Sequence, residues 1–483
     1  MAESSFDPGT DALSVLADAA ENQGAPSQKL PPGEWLKVNL FSDLKNSIIS
    51  TVFGVIILLF LWWAIGWVID ADFKIVRTNL RIFMIGQFPR DELWRVWVSG
   101  YVLLTAGAFV SGALAHNAYD RAVAQELDAV KEPWSSLVRR FWAIIAVTIF
   151  FVSFARTILP YLGLALAFAL VFIGREFGWR ITAAVRERAV FIGAVLFILS
   201  LLVLAGTSRL GGYALGLVVF VWGLSETGRR ELPTTLAGRA IRYGVPLVAA
   251  VVVFAIEVAI SFDGFGWEDW GGLHITLFTA VVGVTLGMPF GILLALGRRS
   301  DLPVIKMASV LFIEFVRGVP LISLLLFSNL MLPLFLPIDF ERPADLTLAI
   351  VVIMGFSAAY VAEIVRGGLQ AVPKGQTEAA QALGLSAGNV QRLIVLPQAL
   401  RAVIPAMVGQ FIALFKDTSL LSIIGILEFL RVSDVANAQT EFVGKGLASI
   451  TYLFVAVGYW AFAYTMSKES RRIETRLGPT TPA

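Results

Sequence analysis

The sequence predicts an all-α polytopic membrane protein with about twelve transmembrane helices, and three observations carry that expectation. Of 483 residues, 57% are hydrophobic and only 15% charged, with a mean hydropathy of +0.76, values outside the range of a water-soluble globule of ordinary composition. The apolar residues fall in runs of helical length rather than in the alternation of a barrel strand. Lys and Arg gather in every second connection, the bias that orients a chain crossing a membrane repeatedly.

Residues 1–46 lack the basic start, apolar run and small-residue cleavage pattern of a signal peptide. Their Ser, Asp, Ala, Pro and Gly bias predicts a mobile cytoplasmic tail, ending in an apolar-rich stretch at Trp35, Leu36, Val38, Leu40, Phe41 and Leu44 that suits the membrane surface. Candidate spans follow at 47–69, 96–116, 141–155, 160–174, 189–207, 211–226 and 242–262, then at 273–296, 308–336, 347–365, 403–425 and 447–466. The third and fourth are short and separated only by Arg156 to Leu159, so 141–174 reads either as two spans or as one kinked helix. Charge bias favours twelve spans with both termini inside, because merging that pair would place the N-terminal tail outside. The first outer loop is the exception: Lys74, Arg77, Arg81, Arg90 and Arg95 sit on the wrong side, only partly offset by Asp70, Asp72, Asp91 and Glu92. The outer segments Phe262–Trp270 and Asp339–Asp345 are acidic and aromatic. They suit either a partner arriving from that side or solvated loops anchored by interfacial Trp.

Several functions are excluded. The chain has no cysteine, which removes disulfides, thiol catalysis and thiolate metal sites. Gly444-Lys445 is followed by Gly446 rather than Ser or Thr, so no phosphate-cradling loop exists for ATP. His116 and His274 stand alone, without the paired spacing of a metal site, and read as interfacial or packed. No metal and no nucleic acid is expected; membrane lipid is.

The segment 370–401, QAVPKGQTEAAQALGLSAGNVQRLIVLPQALR, is a polar interlude between two spans. Arg366, Lys374, Arg392 and Arg401 mark its side as cytoplasmic. Thr377 to Leu383 favours helix, with Glu378 near its positive end; Gly384 permits a turn; a second helical run, Asn389 to Leu396, is expected to end at Pro397. Loops this long are functional or disordered, and this one is too helix-prone for disorder.

Glu378-Ala379-Ala380, Gly384, Ile394, Leu396 and Pro397 occur at the spacing of the EAA signature and resemble the transmembrane subunits of ABC importers. Glu314–Pro320, Tyr360–Gly368 and Lys416-Asp417-Thr418-Ser419-Leu420 are similar to the polar amino acid permeases of the histidine, glutamine and glutamate type, over residues 272–467. The extension before them resembles that of the M component of general L-amino acid permeases, or of its glutamate, glutamine, aspartate and asparagine counterpart. The resemblance implies a five-helix type I importer core (272–467) preceded by seven extra helices (47–262), with a cytoplasmic C-terminal tail (468–483). It also implies a bacterial inner-membrane location and a coupling loop that fits a cleft on a separate ATP-hydrolysing subunit. ATP and Mg would then belong to that subunit, leaving this chain without a cofactor or enzymatic activity. A periplasmic amino acid-binding protein is implied as well. So is a second permease subunit, a copy or a related chain, because no second EAA-like loop precedes residue 270.

Ionisable groups inside spans cost about 3 kcal/mol each and mark candidate pathway residues. Glu314 and Arg317 share a helix face beside the loosening pair Gly318 and Pro320. Glu363 precedes Arg366 by one turn. Lys416 and Asp417 are adjacent, with the hydroxyls of Thr418 and Ser419 beside them. Together they offer both signs of charge to a zwitterion; the alternative is that they pair with one another to hold the bundle. Gly283, Gly287 and Gly291 place small residues on one helix stripe, with Pro289 among them. A secondary transporter, hinted at by Gly228-Arg229-Arg230 and Gly297-Arg298-Arg299, and a non-transporting scaffold are the competing classes. Ion-driven uptake without an ATPase would favour the first of these. Absence of a co-purifying ATPase and binding protein would favour the second.

Overall fold

The structure is a computed structural model that describes residues 31–125, 130–205, 216, 218–220, 222–223, 243–259, 269–337 and 342–477. Residues up to Asp72 and residues from Phe73 onward form two compact units.

In the first unit, α1 (Pro32–Asn39) begins on a proline, whose fixed φ and missing N–H suit a first helical turn. The helix α2 (Leu44–Asp70) is capped by Asp43, which accepts from the Asn46 backbone N–H at 2.8 Å. Its 27 residues are apolar all round and none is buried, the character of a lipid-facing span roughly 40 Å long.

The second unit opens with an element absent from the sequence expectation. The first outer loop is not a solvated connection but an amphipathic helix, α3 (Lys74–Ile85), which buries Ile75, Val76, Asn79 and Phe83. Three of the five basic residues there have partners within the fold. Lys74 pairs with Glu441 at 2.8 Å, Arg95 with Glu92 at 2.9 Å, and Arg81 donates to the Phe88 carbonyl at 2.9 Å. Asn79 and Gln439 exchange amide hydrogen bonds at 3.1 and 2.6 Å.

Next come α4 (Leu93–Ala124), α5 (Trp134–Arg140), α6 (Trp142–Ser153), α7 (Leu159–Arg180), α8 (Ala189–Ala205) and α9 (Val245–Ala259). Small residues set the α4–α7 contact: a Cβ on Gly174 would lie 2.8 Å from the Thr105 carbonyl oxygen, and one on Gly178 3.1 Å from the Ala113 nitrogen. Backbones therefore approach as close-packed membrane helices do. The stretch 141–174 is two helices, broken between Ser153 and Leu159; α6 packs on the last helix of the chain and α7 on α4. The expected span 211–226 is described only at residues 216, 218–220 and 222–223, and residues 242 and 260–262 of the span 242–262 lie outside the described residues.

The remaining helices are α10 (Gly272–Arg298), α11 (Pro303–Gly318), α12 (Leu321–Leu326), α13 (Asp345–Ala371), α14 (Lys374–Ala382), α15 (Leu396–Asp417), α16 (Arg431–Asn437) and α17 (Ala448–Leu477). The glycine stripe of α10 meets α13, where a Cβ on Gly287 would lie 2.8 Å from the Ser357 side chain and one on Gly291 2.7 Å from the Ala358 carbonyl oxygen. The expected span 308–336 is corrected: α11 and the segment Leu321–Phe335 meet at 105°, because Pro320 lacks an N–H and excludes the residue before it from helical geometry. Trp270, read as an interfacial anchor, is buried at 2% exposure among Phe88, Ile275 and Leu346. Among the described residues seven helices are long and apolar enough to cross a membrane, or nine if each bent pair is one span, and one isolated bridge, Gly272 to Glu428, is the only extended pairing.

Candidate coupling foot and charged cleft

The segment between α13 and α15 folds as a foot. Its first helix, α14, ends at Gly384 with φ +78°, a left-handed conformation that glycine adopts without cost. The Leu385 N–H reaches the Ala380 carbonyl at 3.2 Å and the Gly384 N–H the Gln381 carbonyl at 2.9 Å, the paired bonds of a Schellman stop. The second run does not end at Pro397. A π-helical turn, Val390–Val395, leads directly into α15, and Pro397 sits in the first turn of that helix, where no donor is needed.

The foot is anchored on one face and bare on the other. Ala380, Val390 and Val395 pack with Ala358 to Leu369 of α13 and Ala399 of α15 in one apolar cluster. Glu378, Ala379, Gly384 and Pro397 are exposed. So is Leu383, at 82%, a residue the sequence reading passed over although an apolar side chain beside a turn glycine in a polar loop was visible there.

Five of the seven expected pathway residues divide between two places. Glu314, Arg317 and Glu363 converge, joined by Arg366 and by Arg298, which the sequence reading had assigned only to a basic loop end. Arg298 lies 2.8 Å from Glu314 and 3.6 Å from Glu363, Arg317 lies 3.5 Å from Glu363, and Arg366 pairs with Glu363 directly. Three cations around two carboxylates leave the network net positive. The Arg317 guanidinium also stands 5.6 Å from the Tyr360 ring centroid, a favourable cation–π geometry.

Lys416 and Ser419 belong to a separate cleft of about 700 Å³ between α15 and α17, walled by Tyr452, Tyr459, Trp460 and Tyr464. Asp417 is half-buried and does not line it. Thr418 is fully buried and donates to the Phe415 carbonyl at 2.7 Å, a position that continues the helix into the turn Thr418–Ile424.

Behind this cleft sits a carboxylate that sequence reasoning missed, Glu428, with no exposed surface. It accepts from the backbone N–H groups of Leu430 and Arg431 at 2.8 and 2.6 Å and from the Tyr459 hydroxyl at 3.0 Å. Burial pushes its pKa up to about 7 in spite of these three donors. The signal was a lone acid in the apolar run Ile426-Leu427-Glu428-Phe429-Leu430. His116, by contrast, is packed as expected, stacked on Trp179 at 4.7 Å and bonded to Arg186 at 3.0 Å. No group of three or more potential metal ligands occurs among the described residues.

Residues 287–467 match the family model of the binding-protein-dependent transport system inner membrane component. The inner membrane amino-acid ABC transporter permease protein YhdY of Escherichia coli (strain K12) is 50% identical over 210 residues, 44% of this chain and 56% of that one. The chain thus spans about half the length of that relative. The glutamate/glutamine/aspartate/asparagine transport system permease protein BztC of Rhodobacter capsulatus is 31% identical over 500 residues, covering 97% of this chain and 99% of that one. The probable glutamine ABC transporter permease protein GlnP of Bacillus subtilis is 35% identical over 207 residues, 43% of this chain and 92% of that one.

Proposed function

Because this chain belongs to the binding-protein-dependent inner membrane components that serve as amino-acid ABC transporter permeases, we propose that it carries polar L-amino acids inward by alternating access. ATP hydrolysis takes place in a partner subunit, where ATP and Mg are bound, and this chain supplies the path and the lever. A periplasmic binding protein delivers the substrate, and a second permease subunit, a related chain or a copy, completes the translocation core. Both termini face the cytoplasm. Residues 272–467 form that core, with the foot within 370–401, and 47–262 form an extension that precedes it.

The observation that carries this reading is the seat of the foot. Ala380 is packed into the same apolar cluster as the end of α13 that holds Glu363 and Arg366, while Glu378 and Leu383 face outward. A push delivered to the exposed face therefore reaches the charged network through close-packed side chains, which transmit displacement rather than absorb it. The net positive network and the Lys416 ammonium suit the α-carboxylate of an amino acid, and the aromatic wall of the cleft suits its ammonium group.

The test is uptake in vesicles containing the whole complex. Glu378→Arg and Gly384→Val leave the chain inserted and abolish ATP-dependent uptake of labelled amino acid; uptake that survives both changes removes the coupling assignment. The cysteine-free chain also permits single cysteines near each terminus, which an impermeant thiol reagent reaches only after the inner face is opened.

A further inference from the structure

The helices α4, α5, α6 and α7 line an open-sided groove of about 560 Å³ that none of the transport groups uses. Its walls are hydrocarbon and aromatic, from Leu103 and Gly107 on α4, Val138 and Ile145 on α5 and α6, and Phe168 on α7. It runs along the helices, from Leu103 to Ser111 on one side and Leu164 to Arg175 on the other, roughly 12 to 16 Å at 1.5 Å per residue.

One end of the groove is charged. Arg175 is only 5% exposed. Its Nη1 reaches the Ser111 hydroxyl at the long distance of 3.5 Å, and its Nη2 makes no hydrogen bond. The nearest acid, Glu132, stands 3.9 Å from Nη2 and is engaged instead by Arg472 at 2.5 Å. Trp134 lies beside the guanidinium, 5.5 Å from ring centroid to its carbon. A buried Arg with an idle donor is costly unless an anion meets it.

We propose that this groove holds one acyl chain of an anionic membrane phospholipid, with the lipid phosphate on Arg175 and Trp134 at the level of the headgroup. A long apolar groove with a buried cation at one end matches that amphiphile in shape and in charge. Arg is the residue suited to a phosphate because its fork presents two parallel donors.

The test uses the full chain in its complex, placed in phosphatidylcholine bilayers in which one lipid is brominated and quenches nearby tryptophan. The Trp134 contribution is the difference between wild type and Trp134→Phe. Brominated phosphatidylglycerol quenches it at about one-tenth the mole fraction that brominated phosphatidylcholine requires, because both lipids carry the phosphate but the quaternary ammonium of phosphatidylcholine competes with Arg175 for its charge. Arg175→Gln removes the preference and Arg175→Lys retains most of it. Ala108→Leu, which fills the groove without touching the charge, lowers quenching by both lipids and serves as the second variant if Arg175→Gln fails to fold. Equal quenching by the two lipids in wild type, or no Trp134 quenching by either because another protein chain occupies the groove, overturns the proposal.

Discussion

Replacing Leu383 by Asp separates the coupling role of the foot from its folding. In the free chain this side chain is 82% exposed, so it contributes little to the fold, and its loss changes stability by no more than about 0.5 kcal/mol. Fully burying a leucine is worth about 1.5 to 3 kcal/mol. If the nucleotide-hydrolysing partner covers most of the exposed area, the substitution weakens docking by roughly 1.2 to 2.5 kcal/mol. That is a loss of about ten- to seventyfold in affinity, and the carboxylate left against an apolar cleft pushes toward the upper end. The assay is a titration of the ATPase subunit onto the permease in bilayer discs, with binding-protein-stimulated hydrolysis as the functional reading. A variant that inserts normally and binds the partner within about twofold of wild type would refute the assignment of this face to docking.

Three further outcomes are expected. Gly291→Leu forces a side chain against the Ala358 carbonyl oxygen and Val361, parting α10 from α13, and a melting scan in detergent should show a loss at or beyond the usual overpacking range of about 1 to 3 kcal/mol. Burial pushes the Glu428 pKa up to about 7 from an ordinary 4.5, so at this group the folded chain binds the proton more tightly than the unfolded one. The contribution of Glu428 to stability is therefore largest at acidic pH and is lost as pH rises from about 4.5 through 7; Glu428→Gln should remove that component of the slope in a melting series. Glu363→Gln leaves Arg298, Arg317 and Arg366 facing one another with less compensation, and both substrate-dependent uptake and thermal stability should fall, the cost of breaking a partly buried ion network; an unchanged uptake rate would remove the network from the pathway.

Spans, glycine stripe and foot were legible in the sequence because each depends on local rules. Apolar length marks a span, small residues at four-residue spacing mark a close helix contact, and Gly384 marks a left-handed stop. The exceptions were set by contacts distant in the chain. Lys74 to Ile85 read as an outer loop because Lys74, Arg77 and Arg81 interrupt its apolar residues, and the surface that receives Phe83 lies more than 340 residues away, at Phe429 and Phe454. The 105° turn at Pro320 was visible as a loosened helix but not as a change of direction. Pro397 was misjudged because a proline that ends one helix and one that begins the next look alike without knowing where the preceding turn widens. For the pathway charges the sequence supplied the members but not the groups: Arg298 joins Glu314 and Glu363 through space, and Lys416 faces tyrosines 36 to 48 residues farther along, on another helix.

The meeting of Gly86, Gly271 and Leu427 sets where this chain can be cut. A Cβ on Gly271 would stand 2.7 Å from the Gly86 Cα and 2.8 Å from the Leu427 carbonyl oxygen, so three stretches of main chain touch with nothing between them. A minimal transporter excised at the start of α10 would leave behind the lid that seals Phe429 and Phe454, opening a greasy socket on its outer rim. A cut before Phe73 instead, where the chain divides into its two compact units, keeps α3 with the aromatic residues it covers.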